Sequence, residues 1–207
     1  MQHFPALQLT PVSARVLGCL LEKEATTPDY YPLTLNSLIT ACNQTSSRNP
    51  ITQYTGEEVE EALRQLSGDY LVTKVLGGRA PKYEHDLGNV LELTDQERAI
   101  VTVLLLRGTQ TTGELKQRTE RLYSFDDLDT IEEILTSFIE YPHGPLVQRI
   151  PSGAGRRVET FRHLLAESSE ETAEETSSSS ETADWRQEME QRIAALEAEV
   201  AELRGLE

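Results

Sequence analysis

A helix followed by a tight β-hairpin occurs twice in this chain, and this unit constrains the fold more than any other feature. In the first copy, Thr55 and Glu58 have the spacing of a capping box, which predicts where the helix begins. Two runs suited to strands follow at 70–76 and 82–86, separated by the turn-forming pair Gly77-Gly78. Apolar residues recur at helical spacing before the hairpin: Val59, Ala62, Leu63 and Leu66.

The second copy spans about residues 126–163 and has the same order. Strand candidates at 146–150 and 158–163 flank a glycine-rich tip at 151–157. An isolated two-stranded hairpin is marginal in water, so we expect each hairpin to pack on its helices. The apolar stripe of the second helix comprises Leu128, Ile131, Ile134, Leu135, Phe138 and Ile139.

Two further helices precede each copy, and together they predict a winged-helix domain in each half of the chain. Thr10-Pro11 and Thr34 are typical helix starts in the first half. Thr94 and Thr111 start the corresponding helices in the second half, Thr94 about 84 residues after Thr10. The sequence therefore predicts a mainly α fold with small β-hairpins, in which two tandem winged-helix domains, 9–88 and 89–165, follow an N-terminal arm at 1–8.

Residues 166–207 differ in composition from the rest. An acidic, Ser/Glu-rich segment at 166–183 has too little apolar content to order itself, so it is predicted to be a disordered linker. A heptad pattern over 184–206 predicts a coiled-coil-like helix and a homodimer, with a surface helix folded back on the domain as the alternative. The residues of the dimerisation seam are Met189, Ile193, Leu196, Val200 and Leu203.

Charge and hydropathy limit the classes of function. The 207 residues carry a net charge of −16, of which −10 falls on residues 166–207 and only −6 on residues 1–165. A mildly acidic body does not exclude nucleic-acid binding, which needs a local basic face. The sequence has no membrane-length apolar run and no signal-peptide pattern, so we expect a cytoplasmic protein without membrane contact.

No catalytic motif stands out in the sequence. The four histidines lack metal-ligand spacing, and there is no P-loop and no Gly-x-Ser-x-Gly. Cys19 and Cys42 lie among apolar residues and are expected to be small buried thiols. We therefore expect a non-enzymatic protein with no cofactor and no metal.

Scattered polar and basic residues are the candidates for contact with DNA. Each has an alternative as an ordinary solvated surface group, and those in the 43–50 loop could instead cap a helix and tie the loop down. Tyr30-Tyr31 is expected to pack in its loop, with base stacking as the alternative. The DNA-contact candidates are Asn43, Gln44, Arg48, Arg79, Lys82, Lys116, Arg118, Arg121, Arg156 and Arg157.

The helices before the hairpins argue against recognition-helix readout. Glu57, Glu58, Glu60 and Glu61 crowd the start of the first, and the second is equally acidic from Asp126 onward. A winged helix usually presents this helix to the major groove, where carboxylates would repel phosphates.

Several segments resemble the uncharacterised bacterial YceH family. The most specific are 29–36, 43–44 and 48–50, and the likeness covers about residues 7–165. Shorter matches are 17–23, 112–115, 121–123 and 146–147. The resemblance implies a pair of winged-helix domains and implies no established activity; DNA binding follows only by analogy of fold.

Two functions remain open at this point. One is a tandem winged-helix protein that binds double-stranded DNA as a dimer, with a role in transcription. The other is an acidic scaffold for a protein partner, similar in architecture to chromosome-partitioning accessory proteins, that does not bind DNA directly. Convergence of the basic residues on one face would favour DNA; scatter among carboxylates would favour the scaffold.

Overall fold

The first half of the chain begins its helices where threonine caps are predicted. The computed structural model describes residues 8–78, 80–153 and 158–166. The Thr10 side chain accepts a hydrogen bond from the Ser13 amide, and Thr34 accepts one from Ser37. Thr55 and Glu58 form the predicted capping box. The elements are α1 (Pro11–Thr26), a 3₁₀ turn (Pro28–Tyr30), β1 (Leu33–Thr34), α2 (Leu35–Cys42), α3 (Gly56–Gly68), β2 (Val72–Val75) and β3 (Lys82–His85).

A three-stranded antiparallel sheet closes the first half, in the order β1-β3-β2. The hairpin pairs Val72 with His85, and β1 pairs Leu33 with Tyr83. The hairpin agrees with the sequence pattern. Strand β1 is an addition to the predicted hairpin, and its Thr34 is also the predicted cap of α2.

The second half repeats this order after a short additional helix, and its sheet has two strands instead of three. Its elements are α4 (Leu87–Val90), α5 (Asp95–Arg107), α6 (Thr112–Thr119), α7 (Asp129–Ile139), β4 (Val147–Ile150) and β5 (Thr160–His163). Capping boxes at Thr94 and Thr111 start α5 and α6. Strands β4 and β5 pair antiparallel, and a single bridge between Gln110 and Phe161 takes the place that β1 has in the first half.

Two local features differ from what the sequence indicates. Gly68 is of the residue type that commonly ends a helix in the left-handed conformation, but that conformation is adopted by Tyr70, at φ 59°. Leu128 was expected in the buried stripe of α7, but it lies just before the helix and is 43% exposed. Asp127 caps this helix instead, because its carboxylate accepts a hydrogen bond from the Thr130 amide at 2.8 Å.

The two halves share one hydrophobic core. Helix α1 packs against α2 and α3 of its own half and most extensively against α5 of the other. At Gly18 the helices come so close that an added Cβ would lie 2.9 Å from Leu106 Cδ2. Both halves fall within a single compact unit of the chain. Cys19 and Cys42 are buried in this core, as expected.

Seven helices account for about half of the described residues, and the strands form two small antiparallel sheets. Within the described parts of the chain, none of the helices combines the length and hydropathy needed to cross a membrane. The heptad helix, its dimerisation residues and all but residue 166 of the acidic segment lie outside the described residues.

Candidate functional site

A groove lined by cations runs between the C-terminal end of α1, the 43–50 loop, and the ends of α5 and α6. We call it the basic groove; its volume is about 80 Å³. Lys23, Arg107, Arg118 and Arg121 line it, and Glu22 is the only carboxylate among its described lining residues. The sequence elements that meet here are far apart along the chain, and both halves contribute.

Local sequence explains why cations collect at this place. Lys23, Arg107 and Arg118 each lie in the last turn of a helix. A positive charge there is favourable, because the carbonyl end of a helix carries partial negative charge. Gly108, at φ 68°, ends α5 directly after Arg107. Three helix ends that meet therefore bring three cations together.

Neighbouring polar groups satisfy part of this charge. Lys23 Nζ lies 3.3 Å from Glu22 Oε2, and Arg107 Nη2 donates to Ser47 Oγ at 2.9 Å. Arg118 pairs with Glu114 at 3.0 Å and also donates to the Gln110 side chain. These contacts hold the side chains in place along the groove.

The positive charge of the groove is not fully balanced. The pKa of Arg107 lies below its ordinary value, because burial disfavours the charged form and because Arg118 and Arg48 are close to it. Arg121 is exposed, and no described residue forms a hydrogen bond or ion pair with it. An anion entering the groove would therefore meet a side chain that gives up no existing partner.

Arg48, a predicted DNA-contact residue, does not lie exposed in a polar loop. Its side chain has 0% exposure and forms a two-pronged ion pair with Glu22, at 3.0 and 2.7 Å. Its Nε donates to the Ala41 carbonyl at 3.1 Å. Ser47, in a left-handed conformation at φ 59°, turns its carbonyl toward Nη1. Arg48 ties the loop down, as the alternative interpretation held, and we correct its place among the exposed candidates.

Asn43 is also occupied by the loop. Its amide donates to the Tyr54 carbonyl and accepts from the Tyr54 amide, both at 2.8 Å. Gln44 differs, because its side chain reaches the basic groove. Its oxygen accepts from Arg48 Nη2 at 3.1 Å and from Lys23 at 3.5 Å. Of the three loop candidates, only Gln44 faces the groove.

The other predicted basic residues lie apart. Lys116 donates to the Asp126 carbonyl at 2.6 Å, away from the residues that line the basic groove. Lys82, on β3, lines a second groove that shares Lys23 and Gln44 with the first. Arg79, Arg156 and Arg157 lie outside the described residues. The structure thus brings together Gln44, Arg118 and Arg121, with Lys82 in the adjoining groove.

The adjoining groove, which we call the side groove, has a volume of about 490 Å³. Hydroxyl groups of Thr34, Ser37 and Thr40 lie along it, and Tyr30 and Asp29 stand at its 3₁₀ turn. Because the two grooves share residues, the cations form a continuous series from Lys82 to Arg121.

Helices α3 and α7 carry exposed carboxylates, as their sequences predict. Glu57, Glu60 and Glu61 are exposed on α3, where Arg64 forms an ion pair with Glu61. On α7, Glu132 lies 3.5 Å from Arg149. These helix faces carry negative charge, whereas cations line the basic groove.

Sequence reasoning missed Lys23 and Arg107 as site residues. Each could be recognised as the cation of a helical last turn, but nothing local indicated that the ends of α1 and α5 meet. No group of acidic, histidine or cysteine residues in the described parts of the chain could hold a metal ion.

Comparison with known proteins identifies the relatives of this chain. A family described as "Protein of unknown function, DUF480" matches residues 9–156. A UPF0502 protein of Vibrio atlanticus is 43% identical over 209 residues, covering 96% of each chain. A UPF0502 protein of Geobacter sulfurreducens is 47% identical over 197 residues, covering 94% of this chain and 90% of that one. The expected likeness to an uncharacterised bacterial family is confirmed, while the specific resemblance to YceH stays a prediction.

Proposed function

We propose that this chain, which belongs to the DUF480 family of proteins of unknown function, is a non-enzymatic, tandem winged-helix protein that binds double-stranded DNA. In this proposal the DNA backbone lies along the basic groove. Sequence-independent contacts to phosphates supply the affinity.

The order of elements supports the winged-helix assignment. In each half three helices, α1–α3 and α5–α7, are followed by an antiparallel hairpin, and the segment before the middle helix pairs with the return strand. In a winged helix the hairpin is the wing. We infer that β2–β3 and β4–β5 are the two wings.

One observation carries the DNA-binding proposal: cations from both halves converge on one groove, although the chain as a whole is acidic. Lys23, Arg107, Arg118 and Arg121 face this groove, with Glu22 as the single opposing carboxylate in its described lining. Glu22 is already engaged by Arg48 at 2.7 Å. Phosphate oxygens are the common partners of such arginine and lysine clusters.

The proposal differs from the usual use of a winged helix. The acidic faces of α3 and α7 make insertion of these helices into the major groove unfavourable. Binding through the basic groove does not require these acidic faces to contact the phosphates. It also implies weak sequence discrimination, because phosphate contacts carry no direct base information.

The test is fluorescence anisotropy of labelled duplex DNA titrated with the full chain at low and near-physiological salt. We expect binding that weakens with salt. Arg121→Gln should lower the salt slope by about 1 and weaken binding to all sequences alike. Arg64→Gln, the same charge change at an exposed position on acidic α3, is the matched control and should leave the slope unchanged.

A second function has its own supporting observation. The exposed carboxylates of α3 form an acidic face, paired in part by Arg64 alone on that helix. Such a face suits a basic protein partner. Absence of duplex binding even at low salt would reject the DNA proposal and leave the scaffold as the function to pursue.

A further inference from the structure

Tyr30 is a large aromatic side chain held in solvent by a rigid turn. It is 76% exposed, at the end of the 3₁₀ turn Pro28–Tyr30. Its amide donates to the Thr27 carbonyl at 3.0 Å, and the next amide, of Tyr31, donates to the Pro28 carbonyl at 3.1 Å. The Tyr31 hydroxyl accepts from the His85 amide at 2.7 Å, which anchors the turn to β3.

The two adjacent tyrosines therefore have different roles. Tyr31 packs in the loop, as the sequence indicated, and burial raises the pKa of its hydroxyl. Tyr30 gains no such burial. A single exposed aromatic residue is ordinary on a protein surface. Tyr30, however, lies on the edge of a groove with polar and cationic walls, where its exposed ring can contact a ligand in the groove.

The side groove offers the chemistry that a nucleotide requires. Lys82 and Lys23 both line it and can contact phosphate oxygens. Hydroxyl and amide groups of Ser37, Thr40 and Gln44 also line it and can hydrogen-bond to the edge of a base. Its volume of about 490 Å³ is within the usual range for small-ligand sites, about 300–1,000 Å³.

We propose that the side groove binds an unpaired base of a single-stranded nucleic acid, stacked on Tyr30, next to the basic groove that holds phosphates. This inference rests on the proposed function and extends it to the substrate class. A base inside a duplex already stacks on its neighbours and presents only an edge, so an aromatic side chain gains a partner only where the strand is open. The protein then binds where duplex and single strand meet.

The shared Lys23 and Gln44 make this geometry continuous. Both residues line both grooves, so a backbone running along the basic groove passes directly into the side groove. In this proposal one strand keeps its phosphates on Arg107 and Arg121 and places one of its bases on Tyr30. Asp29 is the one carboxylate in the described lining of the side groove and can accept from an exocyclic amino group of a base.

The experiment uses the full chain and three fluorescent probes: an oligothymidylate, an oligouridylate, and a DNA duplex with no open bases. Tyr30→Ala should weaken binding to the single strands about tenfold and leave duplex binding unchanged. Tyr30→Phe keeps the ring and should bind like the parent protein. Tyr70→Ala removes an equally exposed tyrosine, 81% exposed, that lines neither groove, and is the matched control.

A second readout reports stacking directly. An oligonucleotide that carries 2-aminopurine should lose fluorescence on binding the parent protein and Tyr30→Phe, and should keep it with Tyr30→Ala. The oligothymidylate and oligouridylate arms show which of the two strands is bound more tightly.

The outcomes separate the two proposals. Equal single-strand affinity for Tyr30→Ala and Tyr70→Ala would overturn the stacking site, while duplex binding that depends on Arg121 would still support the proposed function. Single-strand binding that depends on Tyr30, without duplex binding, would reject the duplex proposal and support the stacking site. Failure to bind any probe at low salt would overturn both.

Discussion

The two halves of the molecule follow the same backbone plan but bury different chemistry. Arg15 on α1 and Ala99 on α5 occupy corresponding positions, 84 residues apart, and both are buried. Arg15 donates to the Pro50 carbonyl at 2.7 Å and to the Cys42 carbonyl at 3.2 Å. The second half has no counterpart to this contact at Ala99, because an alanine side chain has no donor.

Loop length explains the difference. The segment between α2 and α3 has thirteen residues, whereas nine separate α6 from α7. The longer loop is held by two buried arginines, Arg15 and Arg48, and the shorter one is held in part by backbone bonds from Leu122 and Tyr123 to the Thr119 carbonyl. A basic residue in or beside a loop of this fold can therefore be buried and structural. Here the buried arginines hold the longer of the two loops.

A charge placed in the core of either half should have the largest effect on the stability of the chain. Leu66→Asp and Phe138→Asp each bury an unpaired carboxylate, at positions 0% and 1% exposed. We expect each to lower the free energy of unfolding by more than about 4 kcal/mol. Because the two halves share one core, both should unfold in a single transition, at a lower urea concentration than in the parent protein. Urea denaturation followed by circular dichroism measures this.

Two separate transitions, with only the mutated half destabilised, would contradict a shared core. Glu60→Gln, on the exposed face of α3, is the control and should change the free energy of unfolding by less than about 0.5 kcal/mol.

Arg48→Gln tests whether Arg48 holds the 43–50 loop of the first half in place. It leaves Glu22 and the Ala41 carbonyl without their buried partner, so we expect a loss of about 3 kcal/mol in the free energy of unfolding. Arg121→Gln, an exposed arginine of the second half without a described partner, should change it by less than about 0.5 kcal/mol. Similar effects of the two substitutions would show that Arg48 is not buried as described.

The same pair predicts an acid dependence. Burial acts to raise the pKa of Glu22, but the hydrogen bonds and charge of Arg48 outweigh burial and hold that pKa below its ordinary value of 4.5. The folded chain therefore loses stability as the pH falls through the lowered pKa of Glu22. Arg48→Gln should lack this contribution, which acid titration of the unfolding free energy measures.

The two histidines that end the return strands differ in the charges around them, and this predicts a smaller effect of pH on stability. His85 pairs with Val72 and His163 with Val147, in equivalent registers. Glu24 Oε2 lies 2.9 Å from His85 Nε2, but the nearby charge at His163 is Arg162. Burial first, and then Arg162, lower the pKa of His163 to about 4.

The unfolded chain binds a proton at residue 163 below about pH 6.5, and the folded chain does so only near pH 4. The free energy of unfolding should therefore fall as the pH falls between these values. His163→Gln should reduce that fall by about 1 kcal/mol, less than the full pKa difference implies because the side chain keeps some solvent contact. An unchanged slope in thermal or urea unfolding across this pH range would refute the assignment.

Local signals in the sequence predicted much of the fold. Threonine caps marked five helix starts, at Thr10, Thr34, Thr55, Thr94 and Thr111, and one glycine pair marked the first hairpin turn. These features depend on residues three or four apart, so one-dimensional patterns contain them. Strand β1 was missed because its two residues are strand only through pairing with β3, about fifty residues later.

The candidate site depended on contacts that the sequence does not display. The sequence left open whether Arg48 contacts DNA or ties its loop down, because its partner Glu22 lies 26 residues earlier, on α1. The basic groove exists only because α1 and α5 pack together, which places Lys23 near Arg107. Arg118 and Arg121 were recognised because they are clustered in sequence.

The close approach at Gly18 has a consequence for the ancestry of the chain. If the halves arose by duplication, each now covers the apolar surface of the other. A side chain at Gly18 would push the two halves apart. Neither half could then be exchanged or discarded without exposing the apolar surface of the one that remains. The basic groove depends on the same packing, because residues of both halves line it.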